Sequence, residues 1–497
     1  MVANSTNDHR STSAKNLSYS GAILLISCYE LGHQPIGIAS PSGFLRQAGY
    51  SPAALDYAID GISETRIKQA NLICISVPMH TALRLGIKLA ERIRGINPGC
   101  HICFFGLYAS LNSEYLLQHV ADSIIGGEFE ASLVNLAEAI ECGKNIAELN
   151  NITSKHHQAA PQLVRLNFAL PDRSSLPTID KYARLEYKGK LGLAGYVEAS
   201  RGCLHLCTHC PIPPVYEGRF FVVPKQVVID DIRTLVEAGA SHITFGDPDF
   251  LNGPNHSMRI IEEMHSQFPQ LTFDFTAKVE HILKYPDIVK EMGRSGCIFI
   301  VSALESVSDE VLARLVKGHT RTDIVEALKI TRDAGITLRP SFVAFTPWTT
   351  FNDYVEMLKF IEEHSLIEHV DPVQYAIRLL IPPASLILEN NLNEPWLGEL
   401  DQAAFSYRWN HPDPKMDALH RSVNHVVEAA AQSNSNITDT FYKVAKVVEE
   451  MLGSKFTQSR RILPLATERP PRLTESWFCC AEPTEEQLNA LKCCSHN

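Results

Sequence analysis

The sequence predicts an α/β protein in which a doubly wound, Rossmann-like domain precedes a (βα)6 partial TIM barrel and a mainly helical, cysteine-rich tail. Two observations indicate this fold class. Apolar runs of strand length alternate with helix-length amphipathic segments, and they do so in two separate stretches of the chain. The length of 497 residues also exceeds what one core usually holds, about 250 to 300 residues.

The first alternation covers residues 19–142 and follows a polar segment, residues 1–18, that we expect to be disordered. Its strand-like runs are "GAILLISC", "ANLICISVPM" and "CHICFFG", each followed by a segment with helical periodicity. We therefore expect a parallel sheet with helices on both faces. Residues 143–190 have weak periodicity and several prolines, and they predict a linker.

The second alternation covers residues 191–389 and contains six strand–helix units. The expected strands are "GYVEAS", "SHITFGD", "LTFDFTAK", "CIFIVSALES", "ITLRPSFVAF" and "VDPVQYAIRLLI". Right-handed crossovers would close these units into a partial barrel with its active site at the carboxyl ends of the strands. A helical extension, residues 390–470, and a cysteine-rich tail, residues 471–497, complete the expected organisation.

Composition narrows the class of function. The net charge of -11 argues against a general nucleic-acid binder, which usually carries a basic surface. No stretch reaches the roughly 18 apolar residues that span a bilayer, and the polar start lacks the apolar segment of a secretory signal. We expect a cytoplasmic protein, in which clustered cysteines are metal ligands or reactive thiols rather than disulfides.

Three of the 13 cysteines lie within eight positions, in the segment "ASRGCLHLCTHC" at residues 199–210. Cys203, Cys207 and Cys210 form a C-x3-C-x2-C pattern directly after the first barrel strand, so their thiolates can converge at the active-site end. Three thiolates can hold three irons of a [4Fe-4S] cluster and leave the fourth iron without a protein ligand. A zinc site completed by His205 or His209 is the alternative.

This pattern resembles the radical S-adenosylmethionine superfamily, and the resemblance covers residues 195 to about 385. It implies that S-adenosylmethionine chelates the open iron, accepts one electron and breaks at a C–S bond to give a carbon radical. It also implies a small-molecule substrate and an external electron donor such as flavodoxin or ferredoxin. The protein then orients the cofactor and excludes water.

The same resemblance implies which other residues contact S-adenosylmethionine. The segment "FGDPDF" offers Asp247 and Asp249 to the methionine amine, and "ALES" offers Glu305 and Ser306. The segment "LRPSF" offers Arg339 to the ribose or carboxylate. Two alternatives remain open: Glu305 could cap the next helix, and Arg339 could pair with one of the many acids.

The first domain resembles the cobalamin-binding-like domain that precedes many radical S-adenosylmethionine barrels. The segment "KGHT" at residues 317–320 is a weaker feature of the same enzymes. A D-x-H-x-x-G motif is absent, since His33 lies in E-L-G-H. The resemblance therefore implies a possible cobalamin cofactor without a histidine ligand, and a structural or substrate-covering role for the domain is the alternative.

The tail contains two pairs of adjacent cysteines, Cys479 with Cys480 and Cys493 with Cys494. Adjacent thiols suit a soft, thiophilic centre or a redox relay better than a tetrahedral zinc site. The segment "WFCCAEP" resembles the tails of CUAEP/CCAEP-tail radical S-adenosylmethionine proteins, some of which act in arsinothricin biosynthesis. That resemblance implies transfer of the 3-amino-3-carboxypropyl group to trivalent arsenic, with the four cysteines as catalytic candidates that present arsenite.

Three hypotheses follow from the sequence. The first is an enzyme that forms a carbon–arsenic bond by radical transfer. The second is a cobalamin-dependent radical methyltransferase. The third is a non-catalytic protein that handles metals or thiols and retains the fold.

Overall fold

The computed structural model describes residues 14–433, 435–457 and 469–475. Its amino-terminal part is a six-stranded sheet in the order β2-β1-β3-β4-β5-β6, in which all neighbours are parallel except β5 and β6. The strands are β1 (Ile23–Ser27), β2 (Ala53–Asp56), β3 (Leu72–Ser76), β4 (His101–Phe105), β5 (Ser123–Ile125) and β6 (Thr153–Ser154). The helices are α1 (Ile36–Gln47), α2 (Tyr57–Asp60), α3 (Glu64–Gln69), α4 (His80–Ile96), α5 (Leu107–Leu111), α6 (Ser113–His119) and α7 (Glu130–Glu141).

Strands β1, β3 and β4 are continuous apolar runs because both faces of this sheet are covered. In β1, Leu24 and Ile26 belong to the core on one face, whereas Ile23 and Leu25 belong to the core on the other. This alternation has the period of two that a strand requires. The prediction of a doubly wound amino-terminal sheet is confirmed.

A second, seven-stranded sheet has the order β14-β13-β12-β11-β8-β7-β17. The remaining strands form two-stranded ribbons, β9 with β10 and β15 with β16. The strands are β7 (Arg184–Tyr187), β8 (Lys190–Val197), β9 (Ser200–Gly202), β10 (Phe220–Val222), β11 (His242–Phe245), β12 (Thr272–Thr276), β13 (Cys297–Glu305), β14 (Thr337–Phe342), β15 (Leu397–Asp401), β16 (Ser406–Trp409) and β17 (Arg472–Leu473).

Helices follow the strands of this second sheet and cover it. They are α8 (Pro213–Tyr216), α9 (Lys225–Glu237), α10 (Pro254–Gln267), α11 (Val279–Lys284), α12 (Pro286–Arg294), α13 (Asp309–Arg314), α14 (Arg321–Asp333), α15 (Phe351–Glu363), α16 (Ile387–Asn391), α17 (Pro414–Gln432) and α18 (Ile437–Leu452). Strands β8, β11, β12, β13 and β14 are mutually parallel, which confirms the partial barrel.

The sixth barrel strand expected in "VDPVQYAIRLLI" is corrected by the structure. This segment forms a 3-10 turn at Pro372–Tyr375 and then a single parallel bridge between Phe345 and Arg378. Pro372 begins the turn and cannot donate a backbone hydrogen bond to a strand ladder. In the described residues the sheet instead gains two antiparallel strands at its other edge, β7 and β17, and β7 lies in the segment expected to be a linker.

The carboxy-terminal extension packs on both sheets. Residues Leu419 of α17 and Phe441 of α18 belong to the same core as Phe345 of the barrel. The tip of the β15–β16 hairpin reaches the first sheet, where His80 donates to the carbonyl of Ala404 at 2.7 Å. Within the described ranges, no helix is both long enough and apolar enough to cross a membrane.

Candidate active site

The cysteine loop starts where β8 ends and is held by the β9–β10 ribbon. Gly202, just before Cys203, has a φ of +74°, and a Cβ there would lie 2.4 Å from the carbonyl oxygen of Arg219. Only glycine adopts this conformation without strain or a clash. Asp247, after β11, accepts hydrogen bonds from the Ala199 amide and the Ser200 hydroxyl, so it holds the start of the loop. Burial raises the pKa of Asp247 to about 7.

The three cysteines of the loop are free thiols. Cys203 and Cys207 are buried, and Cys210 is half-buried. A tetrahedral zinc ion with Zn–S bonds of about 2.3 Å would hold its sulfur ligands roughly 3.8 Å apart. Among the described residues, the three-ligand group whose atoms all lie within 4.8 Å of one another contains none of these cysteines. Within the described residues, the three cysteines therefore do not form a preassembled zinc site of this kind.

Burial raises the pKa of the Cys203 and Cys210 thiols. Thiols in this environment are protonated until a metal displaces the proton. Iron binding at the loop is thus coupled to proton release.

Glu305, at the carboxyl end of β13, faces the cysteine loop. His209 donates from Nε2 to Glu305 Oε1 at 3.1 Å, and Lys317 Nζ lies 3.3 Å from the same oxygen. Burial raises the pKa of Glu305, but the Lys317 ammonium and His209 outweigh it and lower that pKa to about 2. The other carboxylate oxygen, Oε2, is buried without a protein partner. Glu305 does not cap α13, whose N-cap is Ser308.

Two more of the residues expected at the cofactor, Ser306 and Arg339, have local partners. The Ser306 hydroxyl accepts from the Ser308 amide at 3.1 Å and closes a turn. The Arg339 guanidinium is buried and donates to both carboxylate oxygens of Asp371, at 2.9 and 3.0 Å. Arg339 is therefore an internal ion-pair partner and not a surface one.

Asp249 caps the 3-10 turn after β11, where it accepts from the Leu251 amide at 3.0 Å. Its Oδ2 faces His281 of α11 and His205 of the cysteine loop. Burial, with the charges of Lys278 and His281, lowers the pKa of His205 to about 4.

The two sheets meet at the cysteine loop through Arg201. Its guanidinium lies 2.6 Å from Glu130 and 3.6 Å from Glu128, both fully buried beyond the carboxyl end of β5, and its Nε donates to Glu198 at 2.8 Å. Tyr216 donates to Glu128 across the same interface at 3.0 Å.

Sequence reasoning missed these partners, and it also missed Lys317 as the partner of Glu305. Glu128 and Glu130 precede Arg201 by about 70 residues, and their spacing carries no pattern of its own. The "KGHT" segment was the only signal for Lys317.

A small, partly open pocket lies beside the loop. Tyr108, which follows β4 of the first sheet, and His209 and Pro211 of the loop line one side, and residues 377–380 with Pro382 line the other. The space open to a water-sized probe is about 20 Å³, enough for one or two water molecules, so a larger ligand requires the lining residues to move.

The four tail cysteines, Cys479, Cys480, Cys493 and Cys494, lie outside the described residues. Their role as catalytic candidates stays a prediction from the sequence.

Residues 197–361 match the family model described as the Radical SAM superfamily. This match supports the predicted radical S-adenosylmethionine domain, and the predictions of an enzyme and of a [4Fe-4S] cluster and S-adenosylmethionine as cofactors are confirmed.

The chain is similar to several named proteins of this class. It is 24% identical over 324 residues to the hopanoid C-3 methylase of Methylococcus capsulatus, an alignment that covers 63% of this chain and 62% of the relative. The cobalamin-dependent S-adenosylmethionine radical enzyme OxsB matches with a TM-score of 0.68 at 17% identity, over 87% of this chain and 73% of that one. The radical S-adenosylmethionine methyltransferase TsrM from Kitasatospora setae matches with a TM-score of 0.63 at 13% identity, over 87% of this chain and 99% of that one. The structural likeness shows a shared fold.

Proposed function

We propose that this protein is a radical S-adenosylmethionine methyltransferase that uses cobalamin and acts on a small molecule. The observation that carries the proposal is the meeting of the two sheets, where Tyr108 of the first sheet and His209 of the cysteine loop line one pocket. The names of the relatives support it, since one is a methylase, one is a cobalamin-dependent radical enzyme and one is a methyltransferase.

When bound, the reduced cluster supplies the electron that breaks a C–S bond of S-adenosylmethionine, and cobalamin supplies the methyl group. Cys203, Cys207 and Cys210, which are free thiols, would hold the cluster. An external one-electron donor such as flavodoxin or ferredoxin completes the reaction.

Glu305 Oε2 fits the cofactor because it is a buried acceptor that no protein group satisfies. In the proposed complex it accepts a hydrogen bond from the methionine ammonium, while Lys317 and His209 keep the carboxylate ionised. Asp247 and Ser306 position the backbone beside the cofactor through the turns that their hydrogen bonds close. Arg339 is a positioning residue through its ion pair with Asp371.

Cobalamin would bind without a histidine ligand from His33. The His33 ring stacks on Tyr196 at 4.3 Å between the two sheets, and burial lowers its pKa to about 4. A corrinoid is far larger than this pocket, so its binding requires the residues that line the pocket to move.

Transfer of the 3-amino-3-carboxypropyl group to arsenite is the second candidate, and the observation that favours it is the tail with its two cysteine pairs. Trivalent arsenic is a soft centre, and thiolates are the ligands that select such centres. The relatives named above support methyl transfer and give arsenic no support.

The fragments of S-adenosylmethionine distinguish the candidates, because atom balance differs between them. Methyl donation leaves S-adenosylhomocysteine, radical cleavage at the 5′ carbon leaves 5′-deoxyadenosine, and loss of the aminocarboxypropyl group leaves 5′-methylthioadenosine. We expect the reconstituted full chain, reduced without oxygen and supplied with cobalamin, to form the first two. Formation of 5′-methylthioadenosine alone, only with arsenite, would contradict methyl transfer, and no fragment at all would favour the non-catalytic hypothesis.

Two further measurements accompany the product assay. We expect a corrinoid absorption spectrum in protein purified from cobalamin-replete cells. We also expect Cys210→Ala to abolish every fragment and lower iron, whereas Cys142→Ala, which changes an exposed free thiol, leaves both unchanged.

A further inference from the structure

Three polar atoms beside the cysteine loop are buried and face one another, and none makes a well-aligned hydrogen bond, although two of them, Asp249 Oδ2 and His281 Nδ1, lie 2.7 Å apart. They are His205 Nε2, Asp249 Oδ2 and His281 Nδ1. One ligand atom from each of these residues lies within 4.8 Å of the others. They come from three different segments: the cysteine loop, the turn after β11 and helix α11. Buried polar atoms in folded proteins nearly always have a hydrogen-bond partner. Three of them together without a well-aligned hydrogen bond therefore indicate that a ligand binds among them.

The distances suit one small cation. Asp249 Oδ2 lies 2.7 Å from His281 Nδ1 and 3.7 Å from His205 Nε2, and the two imidazole centroids are 4.7 Å apart. A tetrahedral ion with bonds of about 2.0 to 2.1 Å holds neighbouring ligand atoms roughly 3.3 Å apart. The two distances from Asp249 Oδ2 lie on either side of that value, and one ligand atom from each of the three residues lies within 4.8 Å of the others, so modest side-chain shifts would complete the site.

Charge and orientation agree with a metal. Asp249 is fully buried, and an ionised carboxylate in that position is costly unless a cation compensates it. Glu280 Oε2 lies 3.6 Å from His205 Nδ1, on the opposite side of the ring from Nε2. A carboxylate in this place orients a metal-binding histidine through its other nitrogen. Lys278, the nearby ammonium, is paired with Glu280 at 3.3 Å.

We propose that His205, Asp249 and His281 bind a divalent first-row transition metal ion, with Zn²⁺ the expected occupant, at a site separate from the iron–sulfur cluster. Two imidazole nitrogens and one carboxylate oxygen form a donor set typical of such ions. The ion ties the cysteine loop to β11 and α11, and it makes Asp249 a metal ligand instead of a contact of S-adenosylmethionine. The proposal does not depend on which group the enzyme transfers.

The test is zinc binding by the full chain with its iron–sulfur cluster assembled. Samples of wild type, His281→Gln, Asp249→Asn and the control His425→Gln, which changes an exposed histidine on α17, are equilibrated with Zn²⁺ and analysed for zinc, iron and sulfide. We expect wild type and His425→Gln to hold one more zinc per chain than the two site variants. The tail cysteines are present in every sample and contribute equally.

A second measurement removes the cluster from the comparison. In a chain with Cys203, Cys207 and Cys210 changed to serine, Co²⁺ should give visible ligand-field bands typical of nitrogen and oxygen ligands, and His281→Gln should abolish them. Equal zinc in all four cluster-loaded proteins, or cobalt bands that do not depend on His281, would overturn the proposal.

Discussion

At the scale of single residues, Glu305 combines a fixed carboxylate with an unsatisfied oxygen. Its Oε1 is held by His209 and Lys317, whereas Oε2 has no protein partner. Its backbone has a φ of +64°, which is unfavourable for a residue with a side chain. Strain of this kind persists only where the surrounding structure enforces it, and it is concentrated at functional sites.

Glu305→Gln should destabilise the protein and weaken cofactor binding. The change leaves the buried Lys317 ammonium without its counter-charge, and breaking a buried ion pair costs about 3 to 5 kcal/mol. We expect a lower midpoint of thermal unfolding and at least about tenfold weaker binding of S-adenosylmethionine, since a hydrogen bond to a charged group contributes roughly 1.5 to 3 kcal/mol. Glu310→Gln, an exposed change on α13, should cost less than about 1 kcal/mol. Equal effects of the two changes would contradict this role.

The same carboxylate should make stability depend on pH in the acid range. The pKa of Glu305 falls from 4.5 to about 2 on folding, because Lys317 and His209 outweigh the effect of burial. A lowered pKa stabilises the folded state above the unfolded value, and this stability is lost as pH falls from 4.5 towards 2. The shift corresponds to on the order of 3 kcal/mol. Cluster-free wild type should therefore lose stability more steeply than Glu305→Gln over this range in denaturant titrations, and parallel curves would refute the assignment.

At the scale of secondary-structure elements, helix α4 lies close against the first sheet through a glycine. A Cβ at Gly86 would meet side-chain carbons of Val77, Ile75 and Phe104 at 3.2 to 3.3 Å. Gly95, on the same helix, has nothing within 4 Å of its Cβ position. Substitutions at the two glycines therefore distinguish the effect of packing against the sheet from the effect of helix propensity.

Gly86→Val should destabilise the protein, whereas Gly95→Val should not. Extra methyl groups in a tightly packed core usually cost about 1 to 3 kcal/mol. At the open position, the change should stay within about 0.5 kcal/mol, as expected for a surface substitution. Urea unfolding measured through the far-ultraviolet signal distinguishes the two, and similar midpoints would show that α4 can move away from the sheet.

The barrel strands show which elements depend on tertiary context. Strands β8, β11, β12, β13 and β14 lie where apolar runs predict them, because a buried parallel strand needs a continuous apolar segment. The sixth segment is equally apolar, yet it forms only one bridge to Phe345. The apolar periodicity of this segment does not show that Pro372 starts a 3-10 turn there.

At the scale of the whole molecule, Arg201 joins the two sheets two residues before Cys203. Its guanidinium faces three carboxylates, and the rings of Phe129 and Phe168 lie 5.1 and 5.3 Å from it. Burial raises the pKa of Glu128. The cysteine loop is therefore held by a charge network that includes the first domain.

Arg201→Gln should both destabilise the protein and lower its iron content. Removing the guanidinium leaves Glu130 and Glu198 without their counter-charge, at a cost of about 3 to 5 kcal/mol. Arg294→Gln, which changes an exposed arginine on α12, serves as the control and should retain full iron.

A double variant tests whether Arg201 stabilises this network through its charge or through its packing. Adding Glu130→Gln to Arg201→Gln should restore part of the lost stability, because it removes one of the unpaired charges. Thermal unfolding and iron analysis check both expectations. No recovery in the double variant would indicate that Arg201 acts through packing alone.

The sequence by itself determined the features that depend on neighbouring residues. The spacing of Cys203, Cys207 and Cys210 predicts the cluster loop because all three belong to one short segment. Apolar periodicity likewise predicts both sheets, since each strand carries its own burial pattern.

Only the tertiary structure decided the contacts between distant segments. Lys317 beside Glu305, Glu130 beside Arg201, and Asp249 between His205 and His281 are brought together by the fold. No periodicity connects such pairs, because chain topology and not sequence spacing sets the distance between them. The charge balance of the site is therefore a property of the folded chain.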